Sequence, residues 1–175
     1  MKTENLENYL KSFGKQVVNR AKGGLQKAKG GGTKLEGSIS FKVVTDSDGF
    51  SVQFYMENYG TFVDKGVSGN QKTRKFKDYK NKTLSSPYKY TTKQPPPDIL
   101  AKWISKKGIK GRDEKTGRFI SNMSLAFIMG RAIKRDGIQG ISFFQKPLGL
   151  GLKQFGKELL GAVKEDILES LITVK

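Results

Sequence analysis

Between Gly37 and Glu57 the apolar residues recur at every second position. Ile39, Phe41 and Val43 alternate with Ser38, Ser40 and Lys42, and Phe50, Val52, Phe54 and Met56 resume the pattern beyond Asp46-Ser47-Asp48-Gly49. A period of two sends successive side chains to opposite faces, and Asp, Ser and Gly are turn residues. The stretch therefore reads as a β-hairpin with one buried and one wet face.

The period changes on either side. Across residues 3–28, Leu6, Leu10, Phe13, Val17, Ala21 and Leu25 repeat at three and four, which places them along one face of a helix. Thr3 is its expected N-cap and Gly30-Gly31-Gly32 its end. A second amphipathic helix is expected from about Leu150 to Ile172, with Leu152, Phe155, Leu159, Val163, Ile167 and Leu171 as its stripe. Two more helices are predicted in the middle of the chain. Asp98 to Lys107 follows a run of prolines and stops at Gly108, with Ile99, Trp103 and Ile104 facing inward. A helix capped by Ser121 or Asn122 runs to about Asp136, apolar on nearly every side and so largely buried. Residues 58–64 are expected to turn into an extended segment, and Ile141 to Gln145 to form a strand closed by Pro147.

From Lys65 to Pro97 there is little periodicity. A loop of roughly 30 residues is uncommon inside a compact domain and is usually functional or disordered. Phe76, Tyr79, Tyr88 and Tyr90 argue against disorder, which is poor in aromatics. The expectation is an extended arm that orders against a partner. Strands and helices do not alternate strictly, so the class is α+β. A small antiparallel sheet built on the hairpin is flanked by N-terminal, middle and C-terminal helices. The whole, residues 1–175, forms a single domain with 65–97 inserted as a long basic arm.

Charge and composition limit the chemistry. The 175 residues carry 33 Lys+Arg against 16 Asp+Glu, a net charge of +17, with no His and no Cys. Thiol and imidazole catalysis, disulfides and Cys-ligated zinc are thereby excluded. A carboxylate-only enzyme would need a convergent acid pair, and the sequence offers no obvious one. Asp46 and Asp48, with Glu57 where a last ligand would fall, superficially resemble a calcium loop. The residues between them alternate as a strand, so a hairpin turn is the reading. Gly149 and Gly151 lack the βαβ unit of a dinucleotide loop and read as hinges and caps. No metal, cofactor or catalytic residue is expected.

Residues 65–118 hold sixteen Lys/Arg and four acids, which concentrates +12 of the +17 there and points to a charged face. Candidate contacts to DNA or another polyanion are Lys72, Arg74, Lys75, Lys77, Lys80, Lys82, Lys106, Lys107, Lys110 and Arg112. No signature of a sequence-reading DNA module is present, so packing of the aromatics on a neighbouring subunit ranks slightly ahead of sequence-specific binding. Non-specific, salt-dependent contact with phosphates needs only charge. The longest apolar run, Leu125 to Met129, is far short of the ~20 residues of a spanning helix. The N-terminus lacks the plan of a signal peptide, which points to a cytoplasmic product.

Several stretches resemble a known family. Gly37-Ser38-Ile39, after a basic helix and a Gly-rich turn, is similar to the passage from helix to hairpin in tail-completion proteins of tailed bacteriophages. Tyr59-Gly60-Thr61-Phe62-Val63-Asp64-Lys65-Gly66 resembles the family's segment of Tyr, acid and Gly that leads into a long loop. Ser142-Phe143-Phe144-Gln145-Lys146-Pro147-Leu148 resembles its closing segment before a last helix, and Pro95-Pro96-Pro97 through Trp103 and Gly108 looks like neck or head–tail connector proteins. The long basic arm and the helix at 121–136 depart from the shorter members.

The resemblance implies a non-enzymatic virion protein, made in the host bacterial cytoplasm. It implies a ring at the neck that meets portal and tail proteins and lets DNA pass. On this reading Tyr59, Phe62 and Asp64 form the base of the arm, with Asp64 paired to a nearby lysine. Phe76, Tyr79, Tyr88 and Tyr90 then lie on the subunit-contact arm. The alternative is a non-specific nucleic-acid-binding protein.

Overall fold

The computed structural model describes residues 3–46 and 49–172. In chain order the elements are α1 (Glu4–Lys29), α2 (Lys34–Ser38), β1 (Ser40–Asp46), β2 (Gly49–Tyr55), α3 (Gly60–Lys65) and β3 (Gly66–Ser68). There follow β4 (Lys75–Lys77), β5 (Thr83–Ser85), α4 (Pro97–Lys107), α5 (Asn122–Asp136), β6 (Gly137–Gln139) and α6 (Gln145–Ile172). The class is α+β: among the described residues, helices flank three small two-stranded sheets, β1–β2, β3–β6 and β4–β5. Of the described residues, one compact unit takes those through Asp64, Lys77–Thr83 and those from Ile141 onward. A second takes Lys65–Phe76 and Leu84–Gly140, where a single domain with an inserted arm was expected.

The hairpin is antiparallel, from Ser40 opposite Tyr55 to Asp46 opposite Gly49. Ser47 and Asp48, at the expected turn, lie outside the described residues. The hairpin's apolar side meets α1, whose stripe (Leu6, Leu10, Phe13, Val17, Ala21, Leu25) is buried as its spacing dictates. Val18, Ala21, Leu25, Leu35, Ile39 and Phe143 form the core of the first unit. A run of rings ties the layers together. Phe13 of α1 meets Phe155 of α6 edge-on at 4.7 Å and Phe54 of β2 at 6.5 Å. Phe54 in turn meets Phe144 at 5.3 Å. Such pairs contribute about 0.5–1.5 kcal/mol each beyond the area they bury.

The two long helices are capped from a distance. Thr3 occupies the N-cap position of α1 but its side chain makes no capping bond. Asp166, on α6, does that work: its carboxylate accepts from the amides of Asn5 (2.9 Å) and Leu6 (3.0 Å). Asp64 does the same for α6, accepting from the amides of Phe144 (2.8 Å) and Gln145 (3.4 Å). Both carboxylates are buried. A carboxylate at a helix N-terminus satisfies orphan N–H groups and meets the positive end of the dipole.

Several boundaries differ from the sequence reading. Residues 60–65 are helical, and the extended segment starts only at Gly66. The strand expected at 141–145 lies at Gly137–Gln139, and α6 begins at Gln145 with Pro147 in its first turn, where a missing N–H costs nothing. Gly149 and Gly151 lie inside α6 and mark close approaches: a Cβ would fall 2.1 Å from the Tyr79 carbonyl oxygen and 2.8 Å from the Phe13 ring.

In the second unit β3 pairs antiparallel with β6, Val67 opposite Ile138. Gly137 ends α5 at φ 72°, a conformation that favours glycine, and a Cβ there would meet the Val67 carbonyl oxygen at 2.2 Å. The parts of 65–97 that belong to this unit, 65–76 and 84–97, are tied together by backbone bonds, where an extended arm was expected. The Ser68 amide donates to the Tyr88 carbonyl (2.7 Å), the Tyr90 amide to the Ser68 carbonyl (2.8 Å) and the Ser86 amide to the Arg74 carbonyl (2.8 Å). Ser121 caps α5 through its hydroxyl, and Gly108 closes α4 in the left-handed conformation. Ile104 and Ala126 are fully buried, whereas Ile99, Trp103, Met123, Phe127 and Ile128 are exposed. The inward face expected for α4 thus reduces to Ile104, and α5 is not wrapped on all sides.

Above the ordinary carboxyl value of 3.8, Asp166→Asn should lower the thermal midpoint by a constant amount. Burial works to raise the Asp166 pKa, but the amides of Leu6 and Asn5 and the Asn5 side chain outweigh it and hold it below that value. A depressed folded pKa gives stability that is present above the unfolded value and lost as pH falls through the folded one. The gap between wild type and variant should therefore close below about pH 4, as thermal scans across pH would register. Separately, Gly23→Ala should raise stability by about 0.5–1 kcal/mol, because a Cβ there meets nothing within 4 Å. Gly14→Ala should lower it, since a Cβ would stand 2.2 Å from the Phe41 ring. Denaturant titration of both variants reads the opposite signs.

Candidate functional site

The strongest convergence of the candidate cations is in the second unit, on the end of α4 and the loop 108–121. Lys106 and Lys107 stand in the last turn of α4, where the dipole favours positive charge. The loop beyond them is held in a hairpin-like shape. The Asp113 amide donates to the Arg118 carbonyl (2.9 Å), the Gly117 amide to the Asp113 carbonyl (2.8 Å) and the Ile120 amide to the Gly111 carbonyl (3.1 Å). Arg112 and Phe119 form an antiparallel bridge. The Asp113 carboxylate accepts from the Thr116 amide (2.8 Å), the Thr116 hydroxyl (2.9 Å) and the Lys115 amide (3.1 Å). The bonds from Thr116 hold its carboxyl below the usual range.

This frame presents Lys110, Arg112, Lys115 and Arg118 to solvent. Phe119, 61% exposed, stands among them. The Arg112 guanidinium lies 4.4 Å from the centre of its ring and the Lys110 ammonium 5.7 Å. The ring face attracts cations and holds them without neutralising them. An exposed aromatic flanked by cations on an ordered loop can meet a phosphate chain or an acidic protein surface. Phe119 was not among the sequence candidates, although aromatics between basic residues were the signal used for the arm. Applied to Arg118-Phe119, the same signal finds it.

The other cations are dispersed. Arg74 is half-buried and occupied: its Nε donates to the Asp136 carbonyl at 2.7 Å and its Nη2 to the Gly137 carbonyl at 3.4 Å. It closes the C-terminal end of α5, which a phosphate would have to displace. Lys72 and Lys75 are exposed in the same unit, whereas Lys77, Lys80 and Lys82 are exposed in the first unit. The Lys80 ammonium sits 5.6 Å from the Tyr79 ring centre.

The aromatic candidates also separate. Tyr59 and Phe62, on and beside α3, and Tyr79 are exposed. Tyr88 and Tyr90 are half-buried, and burial pushes the Tyr90 phenol up. Phe76 is a core residue. One carboxylate oxygen of Asp64 accepts from the amides that open α6. Near the sequence's superficial calcium loop, Glu57 takes Lys34 at 3.0 Å. Among the described residues no helix is long and apolar enough to cross a membrane.

Compared with known proteins, the chain matches no family model, no curated protein and no solved structure.

Arg74→Gln should destabilise the protein by roughly 1.5–3 kcal/mol through its lost charged hydrogen bonds. Arg112→Gln, on an exposed loop, should leave the unfolding midpoint within about 0.5 kcal/mol of wild type. Chemical denaturation of the two variants separates the structural arginine from the available one.

Proposed function

We propose that this chain is a structural virion protein of the tailed-phage neck, of the tail-completion type. It assembles as a ring that joins portal to tail and lets DNA pass, and it acts by assembly, without catalysis. The observation that carries this reading is the amount of large apolar surface left in water. Ile99, Trp103, Met123 and Phe127 in the second unit, and Leu160, Ile167, Leu168 and Leu171 in the first, are all exposed. Apolar residues grouped in this way on the surface of a folded chain mark interaction sites. The short resemblances at 37–39, 59–66 and 142–148 supply the kind of assembly.

The loop 108–121 supports a second reading, non-specific nucleic-acid binding, through its exposed Arg112, Lys110 and Phe119. In a ring the two readings meet, because each copy adds its cations to a common channel potential.

Sedimentation of the purified protein, alone and with portal and tail components, should show a closed oligomer. A monomer under every condition would refute the ring. In a DNA titration against salt, Lys110→Gln with Arg112→Gln should reduce the slope of log K on log salt by roughly 0.9 for each phosphate the variant no longer neutralises. An unchanged slope would remove this loop from DNA binding and leave assembly as its role.

A further inference from the structure

We infer that a groove between the second half of α1 and the segment that opens α6 docks an acidic, amphipathic helix of a different protein. The inference goes beyond the assembly reading and does not depend on ring formation.

The groove has a volume of about 560 Å³ and lies wholly in the first unit. Residues 20–28 of α1 and residues 141–150 build it, and Phe143, Pro147 and Leu150 give it an apolar wall. Its charge is of one sign. Arg20, Lys27 and Lys146 line it, and no acid does. All three are exposed, and among the described residues none of them is in an ion pair. Arg20 and Lys27 lie two helical turns apart on α1, which separates them by about 10.5 Å along its axis.

Between these two cations α1 offers bare backbone, because Gly23 and Gly24 line the groove. Glycine weakens a helix interior relative to alanine, so its use there calls for a reason. Packing within the chain gives none. A Cβ on Gly23 would meet nothing within 4 Å, and one on Gly24 would make ordinary contact with Phe143 at 3.7 Å. The space that the glycines leave is open to a partner.

Wall and charge together select the occupant. An apolar wall needs apolar side chains against it, and phosphodiester has none to offer. Cations about 10.5 Å apart need more than one negative charge, which a fatty acid does not carry. A helix with apolar residues on one face, flanked by acids two turns apart, meets both demands in the helix-in-groove manner. A second copy of this chain is a poor source of it. The chain carries +17, and its acids are largely engaged at their own positions. Asp64 and Asp166 cap helices, Glu57 takes Lys34, Asp136 takes Arg135 and Glu169 accepts from Asn5. The partner is therefore another chain, of acidic character.

The test is calorimetric titration of the full chain with a synthetic helix that carries Leu on one face and Glu two turns apart beside it. The same helix with Lys for Glu, laurate and a short DNA duplex are titrated alongside. The acidic helix should bind and the basic one should not. Arg20→Gln with Lys27→Gln should weaken binding roughly fivefold or more. Lys72→Gln with Lys75→Gln, the same loss of charge in the second unit, should change it by no more than about twofold. Gly23→Leu fills open space on a helix with a better helix former, so it should be at least as stable as wild type in thermal scans, yet block the groove. Absence of binding by the acidic helix, or binding that neither groove variant alters, overturns the proposal. So does a Gly23→Leu chain that loses laurate or duplex and keeps the acidic helix, because the groove would then belong to that other ligand.

Discussion

Two aspartates hold the long helices of this protein in place, and neither belongs to the helix it caps. Asp64 closes the N-terminus of α6, and Asp166, six turns further along α6, closes the N-terminus of α1. Each carboxylate is taken out of water, which by itself disfavours the charged form. Backbone amides that would otherwise lack partners offset that cost, and the dipole adds to the offset. The two caps act in series: α3 fixes where α6 begins, and α6 fixes where α1 begins. The aromatic contacts of Phe13, Phe54, Phe144 and Phe155 then have a defined register in which to form. Among the described residues no buried side-chain nitrogen or oxygen lacks a hydrogen-bond partner.

With polar groups satisfied inside, the remaining imbalance is outside. The second unit builds its buried core from few side chains, Ile104, Ala126 and Phe76 among them, and leaves Trp103 and Phe127 in solvent. The first unit packs α1 against α6 and leaves Leu160, Ile167, Leu168 and Leu171 of α6 in water. A chain at +17 repels its own copies at long range, so association needs local apolar contact and local charge reversal.

α1, α4 and α5 were legible in the sequence to within a residue or two, and so was the existence of the hairpin, because alternation and helical spacing are local signals; Gly37 and Ser38, read as part of its first strand, instead end the short helix α2. The caps were not. Thr3 is the natural local candidate, and nothing within ten residues of it announces that Asp166 will take its place. The bonds that Arg74 and Asp64 make were hidden for a related reason. A charged side chain in a basic, loop-rich stretch looks available, and only the folded chain shows it spent on helix-end carbonyls or amides. Phe119 was missed although its signal was present, because the longer aromatic run at 76–90 carries the same signal more strongly.

The sequence by itself determined the α+β class, the amphipathic faces, the absence of imidazole and thiol chemistry and the concentration of charge in the middle of the chain. Those follow from residue type and spacing along a few turns or a single hairpin. The tertiary structure alone decided that residues 69–74 and 86–90 fold back onto β3 and the end of α5, and that Trp103 faces water. It also decided which cations are free to meet a partner. These depend on which groups separated by tens of residues find one another, and periodicity carries no information at that range.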